Sequence, residues 1–190
     1  PYSNERYGLE VELERAIGAL TASNGVIQGV GEHIPFADDT FDLVFSNEVI
    51  EHVRDDVLYA AEMARVTRPG GRIVLFCPNR WYPVEQHGVY WRGAYKFGNI
   101  PLVNYLPDPL RNRLAPHVRT YTKVGLLRLF EDLPLHVVHH GRIFGGYDNI
   151  ATRWPRAGRR LQRTLHGLEG TPLAALGISH LLVLEKRAGP

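Results

Sequence analysis

The stretch TFDLVFSNEVIEHV, residues 40–53, decides the fold. Phe41 to Phe45 is an apolar run of the kind found in core strands of parallel sheets, which are buried on both faces. The run stops at Ser46, Asn47, Glu48, Glu51 and His52, groups that bind, carry charge or move protons. Ligands of open α/β sheets sit beyond the carboxyl ends of the strands. A core strand that ends in polar side chains therefore marks the mouth of a site.

The neighbouring segments extend the same pattern. Tyr7–Leu9 is a short apolar piece ending at Glu10, and VELERAIGAL (11–20) places Leu13, Ile17 and Leu20 on one helical face. An Asn-Gly break in SNGVIQGV precedes a short strand at Val26 and Ile27. Downstream, Asp55 and Asp56 open a helix, where the macrodipole favours anions. Its expected apolar stripe is Val57, Leu58, Ala61, Ala64 and Val66, and Pro69-Gly70-Gly71 ends it. RIVLFC (72–77) is a second buried strand. TKVGLLRLFEDL (122–133) reads as a helix capped by Thr122, while LHVVHH (135–140) and SHLLVLEKR (179–187) read as strands. Strands alternating with helices at this spacing predict a mostly parallel α/β sheet with helices on both faces.

The chain has 190 residues, 44% of them hydrophobic and 22% charged, which suits a single globular domain (1–190) rather than a disordered chain. Cys77 is its one cysteine, so an internal disulfide is excluded and a reducing, cytoplasmic setting is expected. Net charge is +2 but unevenly spread: residues 1–62 hold 13 acids and 3 bases, and residues 63–190 hold 7 acids and 19 bases. TRWPRAGRRLQRTLHGL (152–168) contains five arginines and no acid. It forms most of a basic connection, 151–169, that suits a solvated face, a phosphorylated acceptor or an anionic membrane surface. No recognised nucleic-acid motif accompanies the charge, so no nucleic-acid partner is expected. The oligomeric state is not legible.

GEHIPFADDTFDLVFSNEVIEHVRDDVLYAAEMARVTRPGGRIVLFCPN (31–79) resembles the class I S-adenosylmethionine-dependent methyltransferases, in particular the small-molecule type that includes the ubiquinone and menaquinone methyltransferases. The order and spacing of IPFADDTFD, LVFS, VIEHV, RVTRPGG and RIVLFCPN carry that resemblance, which is good over residues 5–79. Over 122–186 it is one of layout only. It implies a Rossmann-like fold with an antiparallel C-terminal strand, S-adenosylmethionine as cofactor, and methyl transfer to a small molecule. It also implies a Gly-rich loop and a first strand before Pro1, so the 190 residues are expected to be an N-terminally truncated piece that binds the cofactor poorly on its own. Val30 stands where the family often has an adenine-binding Asp.

On this resemblance, Glu10 and Val11 follow the ribose-binding strand, and a carboxylate there can accept both ribose hydroxyl protons. Gly31, Glu32 and His33 border the adenine, with Ile34 on its face. Ser46, Asn47 and Glu48 meet the methionine end. Methyl transfer depends chiefly on alignment of nucleophile, carbon and sulfur. A hydroxyl acceptor also needs a base, for which His52 and His87 are the candidates. Residues 79–121, with Trp81, Tyr90, Trp91 and Tyr95 among arginines, form an inserted cap for the acceptor, a lipid-linked or glycan-related hydroxyl being preferred. His136, His139 and His140 alternate across a strand without a completing carboxylate, so no metal site is expected there. The alternatives are a non-catalytic Rossmann-like binding module and a nicotinamide-dependent oxidoreductase.

Overall fold

The computed structural model describes residues 5–19 and 24–188. The elements in chain order are β1 (Tyr7–Glu10), α1 (Leu13–Ala19), β2 (Gly25–Gln28), β3 (Phe41–Asn47), α2 (Asp56–Val66) and β4 (Thr67–Pro78). Four short strands follow, β5 (Val84–Glu85), β6 (Val89–Trp91), β7 (Ala94–Lys96) and β8 (Ile100–Pro101), then α3 (Asp108–Leu114) and α4 (Lys123–Arg128). The chain continues through β9 (Leu135–Ile143), α5 (Asp148–Arg153), α6 (Pro155–Leu168) and β10 (Ser179–Lys186).

The main sheet has the order β3-β4-β10-β9. β3 and β4 are parallel, and β10 runs antiparallel between β4 and β9. β1 and β2 form a separate parallel pair, Tyr7 opposite Gly25 through Glu10 opposite Gln28. The expected Rossmann-like α/β arrangement with one reversed C-terminal strand is what the chain adopts.

The core joins Ile73, Leu75, Leu182 and Leu184 of the sheet to Tyr59, Ala60, Met63 and Ala64 of α2, with Leu126 and Leu135 below. Asp55 fixes the start of α2: its Oδ1 accepts from the amides of Val57 and Leu58 at 3.0 and 2.9 Å. The arc of α2 buried against the sheet is Tyr59, Ala60, Met63, Ala64 and Val66. The expected stripe is corrected in part: Ala64 and Val66 are inside, but Val57 and Leu58 face solvent. Ile17 of α1 is likewise exposed, and its neighbour Ala16 is buried; Leu20 lies outside the described residues. Leu43 and Phe45, two residues apart and so on one face of β3, are also exposed, and β3 is an edge of its sheet rather than an interior strand.

Residues 79–121 leave and rejoin the sheet at neighbouring points, since Asn79 and Tyr121 pair in an isolated bridge. Asn79 is anchored by donation from Nδ2 to the carbonyls of Ala175 and Gly177. The segment folds into two small antiparallel pairs, β5 with β8 and β6 with β7, beside α3. The basic connection becomes helical. Gly158 of α6 sits against α5 so closely that an added Cβ would lie 2.3 Å from Cα of Ala151.

Candidate active site

β3 leaves the sheet at Asn47 into a turn at Glu48, whose φ of 54° lies in the left-handed region that residues with a Cβ seldom adopt. The Glu48 amide is held by the Phe76 carbonyl at 3.0 Å, and its Oε1 accepts from the Ser179 hydroxyl at 2.8 Å. Such strain persists where surroundings over-determine it, and it clusters at functional sites. The turn sends Ile50 into the core and buries Glu51, which is 1% exposed. Neither carboxylate oxygen of Glu51 has a hydrogen-bonding partner. Burial first, and the neighbouring Glu48 carboxylate second, push its carboxyl well above the usual carboxylate range.

His52 stands beside it. Its Nε2 is 3.8 Å from Glu51 Oε1 and its Nδ1 is 3.2 Å from the His117 carbonyl. Burial holds its pKa below the usual imidazole value despite the His117 carbonyl, which acts the other way. His87 arrives from residues 79–121, with its Nδ1 3.1 Å from Glu85 Oε1, which also accepts from the His87 amide. The two imidazoles meet edge to face with centroids 5.3 Å apart. The base candidates, 35 positions apart in sequence, are thus neighbours in space.

A buried frame supports this pair. Glu85 Oε2 accepts from Arg111 Nη2 at 2.9 Å, and each residue is 1% exposed. Burial alone would raise the Glu85 carboxyl; the bonds from His87 and the Arg111 charge outweigh it and hold the carboxyl below its usual range. Arg111 also donates to the Val118 carbonyl at 2.6 Å. His117 Nε2 is 3.1 Å from the His87 carbonyl. The Arg119 amide bonds to the Glu51 carbonyl at 3.0 Å, and its guanidinium bonds to the carbonyls of Val53 and Arg54. The end of the 79–121 segment is therefore clamped onto the turn that follows β3. Trp81, Tyr90, Trp91, Tyr95, Phe97 and Tyr105 remain exposed on that segment.

The residues expected around a cofactor divide into two groups. Glu10 ends β1, and its Oε1 accepts from the amides of Val11 and Glu12 at 2.9 and 3.2 Å. Val11, Asn47 and His33 are exposed, and Glu48 is at the strained turn. The other group faces inward. Gly31 is buried against Tyr59, where an added Cβ would meet ring carbons at 2.6 Å. Tyr59 donates to Ser46 Oγ at 3.0 Å, so this hydroxyl is turned toward α2. Glu32 Oε1 accepts from the amides of Arg54 and Asp55 at 2.6 and 3.2 Å and braces the loop after His52. Ile34 lies in the core rather than on an exposed face.

Glu51 as a partnerless buried acid, and Glu85, Arg111 and His117 as its surroundings, were not legible as site residues. Glu85-x-His87 is the one local signal, and its meaning depends on Arg111 folding back onto it. On β9 the histidines stay apart: His140 Nε2 is 3.0 Å from His180 Nδ1, while His136 approaches Glu185.

Residues 7–75 match the family model of the methyltransferase domain, and the described residues have a Rossmann-like fold. A methyltransferase of Mycobacterium avium is 43% identical over 96 residues, covering 50% of this chain and 34% of that protein. The ubiquinone/menaquinone biosynthesis C-methyltransferase UbiE of Cupriavidus taiwanensis is 32% identical over 123 residues, covering 60% of this chain and 48% of that protein. The chain thus spans less than half the length of either relative. Among solved structures, an S-adenosylmethionine-dependent methyltransferase from Mesorhizobium loti aligns with 97% of this chain and 81% of its own at a TM-score of 0.62 and 15% identity. The putative methyltransferase bound to the Trm112 activator in Haloferax volcanii aligns at 0.59 and 19%, over 97% of this chain and 73% of its own. At these identities the two structures speak for the fold.

Proposed function

We propose that this chain belongs to a cytoplasmic methyltransferase that moves the methyl group of S-adenosylmethionine to a hydroxyl of a small, lipid-linked or glycan-related acceptor. The observation that carries the reading is the meeting of His52 and His87 at the exit of β3. S-adenosylmethionine supplies a methyl carbon bonded to a sulfonium sulfur. Glu10 holds the ribose hydroxyls, and Asn47 and Glu48 hold the amino-acid end. The acceptor lies between the exposed aromatics of residues 79–121 and the imidazole pair. His87, oriented through Nδ1 by Glu85, takes the hydroxyl proton at Nε2, and alignment supplies about 7–11 kcal/mol of the barrier reduction. Arg156, Arg160 and Arg163 share one face of α6, a basic surface that suits an anionic group on the acceptor or an anionic membrane surface.

The test uses the intact protein, S-adenosylmethionine labelled in the methyl group, and a panel of hydroxylated lipid and sugar acceptors. Label is expected on one acceptor class, and His87→Gln is expected to lower kcat by about 100-fold with little change in KM. Donor binding without transfer to any acceptor would favour a binding module. Tight binding of a nicotinamide dinucleotide in its place would favour an oxidoreductase.

A further inference from the structure

We propose that Glu51, His52 and His87 form a binding site for one divalent first-row transition-metal ion. Among the described residues, one ligand atom from each lies within 4.8 Å of the other two. The Glu51 Oε1 to His52 Nε2 distance of 3.8 Å is close to the ~3.4 Å between neighbouring ligands around a cation with bonds of ~2.1 Å. The His52 side chain is half-exposed and so has room to adjust.

Two independent features point to a cation. The first is Glu51 itself, whose side chain is wholly buried with both oxygens lacking a hydrogen-bonding partner. A buried polar group without a partner is costly, and native proteins seldom leave one unless an ion, water or function accounts for it. Among the described residues the group within ion-pair distance is His52, and Glu48 nearby adds negative charge. A cation supplies what the protein does not. The second feature is the support behind each imidazole. Metal-bound histidines donate their other ring N–H to a carbonyl or carboxylate, which fixes the tautomer. His52 Nδ1 faces the His117 carbonyl at 3.2 Å, and His87 Nδ1 faces the Glu85 carboxylate at 3.1 Å. Protonation at Nδ1 in both rings puts the lone pairs on Nε2. Glu85 is fixed in turn by buried Arg111.

Two imidazoles and one carboxylate suit Zn²⁺, Fe²⁺, Co²⁺ or Ni²⁺ rather than Mg²⁺ or Ca²⁺, and three protein ligands leave coordination positions open. Resting on the methyl-transfer reading, the ion changes the role of His87: with its Nε2 lone pair on the ion, His87 is a ligand and not the base, the open position takes the acceptor oxygen and favours its ionised form, and the hydroxyl proton passes to solvent. Metal binding itself is measured without turnover, so the two ideas fail separately.

The intact protein, stripped with chelator, is titrated with Co²⁺, whose visible absorption reports its ligands, and with Zn²⁺ in competition. The expected result is one ion per chain, with affinity lowered about 100-fold or more in His52→Ala/His87→Ala and about tenfold or more in Glu51→Gln. A His136→Ala/His139→Ala variant is expected to bind as the unmodified protein does, which separates this site from β9. Absence of stoichiometric binding, unchanged affinity in the His52→Ala/His87→Ala variant, or unchanged affinity in Glu51→Gln overturns the proposal. Should the double variant fail to fold, the paramagnetic shift of the His52 and His87 imidazole resonances by Co²⁺ in the unmodified protein decides it, and unshifted resonances overturn it.

Discussion

Arg111 and Glu85 are each 1% exposed and joined at 2.9 Å, so each neutralises a charge that water cannot reach. Removing Arg111 leaves the buried Glu85 carboxylate with His87 but without its opposite charge, and removing Glu85 leaves the Arg111 guanidinium buried without one. Arg111→Met is expected to lower stability by about 3–5 kcal/mol in urea denaturation, and Glu85→Leu/Arg111→Met by distinctly less than the sum of the single changes. The facing histidines His140 and His180 provide the pH dependence. Burial holds both pKa values near 4, below the ~6.5 of an unfolded histidine. Between these values the unfolded chain binds protons that the folded chain refuses. Their contribution to stability is therefore complete above pH 6.5 and is lost as pH falls toward 4. For fully buried His180 the loss is roughly 3 kcal/mol, and the urea midpoint is expected to drop clearly between pH 7 and pH 4.5. His52 and His87 could be named from sequence because histidine chemistry is a property of the residue. The isolation of Glu51 could not, because it depends on which groups the fold leaves out.

At the scale of elements, the turn after β3 and the start of α2 are held by a few bonds that can be removed singly. Asp55→Ala removes acceptors for two amides at the N-terminus of α2 and is expected to cost about 1 kcal/mol. Gly31→Ala forces a methyl to 2.6 Å from the Tyr59 ring. It is expected to cost about 1–3 kcal/mol and to displace the Tyr59–Ser46 hydrogen bond, visible as a shift of the Tyr59 ring resonances. The strand at Phe41–Asn47 and the Asp55 cap were legible because both are local signals. The buried arc of α2 was not, because hydrophobicity alone favoured Val57 and Leu58. Packing instead chose Tyr59 and Met63, whose phase brings them over the sheet.

At the scale of the molecule, β3 is an edge of the main sheet and carries Phe45 at 62% and Leu43 at 55% exposure. An open edge with apolar side chains promotes pairing between chains. The 190-residue chain is expected to self-associate with rising concentration in sedimentation or light scattering, and Leu43→Thr/Phe45→Lys to suppress this with a change in stability of about 1 kcal/mol or less. Sequence by itself determined the class of fold, since alternating apolar strands and capped helices are encoded over short windows that local sterics and periodicity govern. It also determined that polar residues follow β3. Tertiary structure alone decided that residues 79–121 fold back to the same place. Only there do Arg119 and Tyr121 fasten to the turn after β3, and His87 meet His52. Those contacts join residues 35 to 71 positions apart. Their geometry is set by chain closure and burial, which no short window of sequence contains.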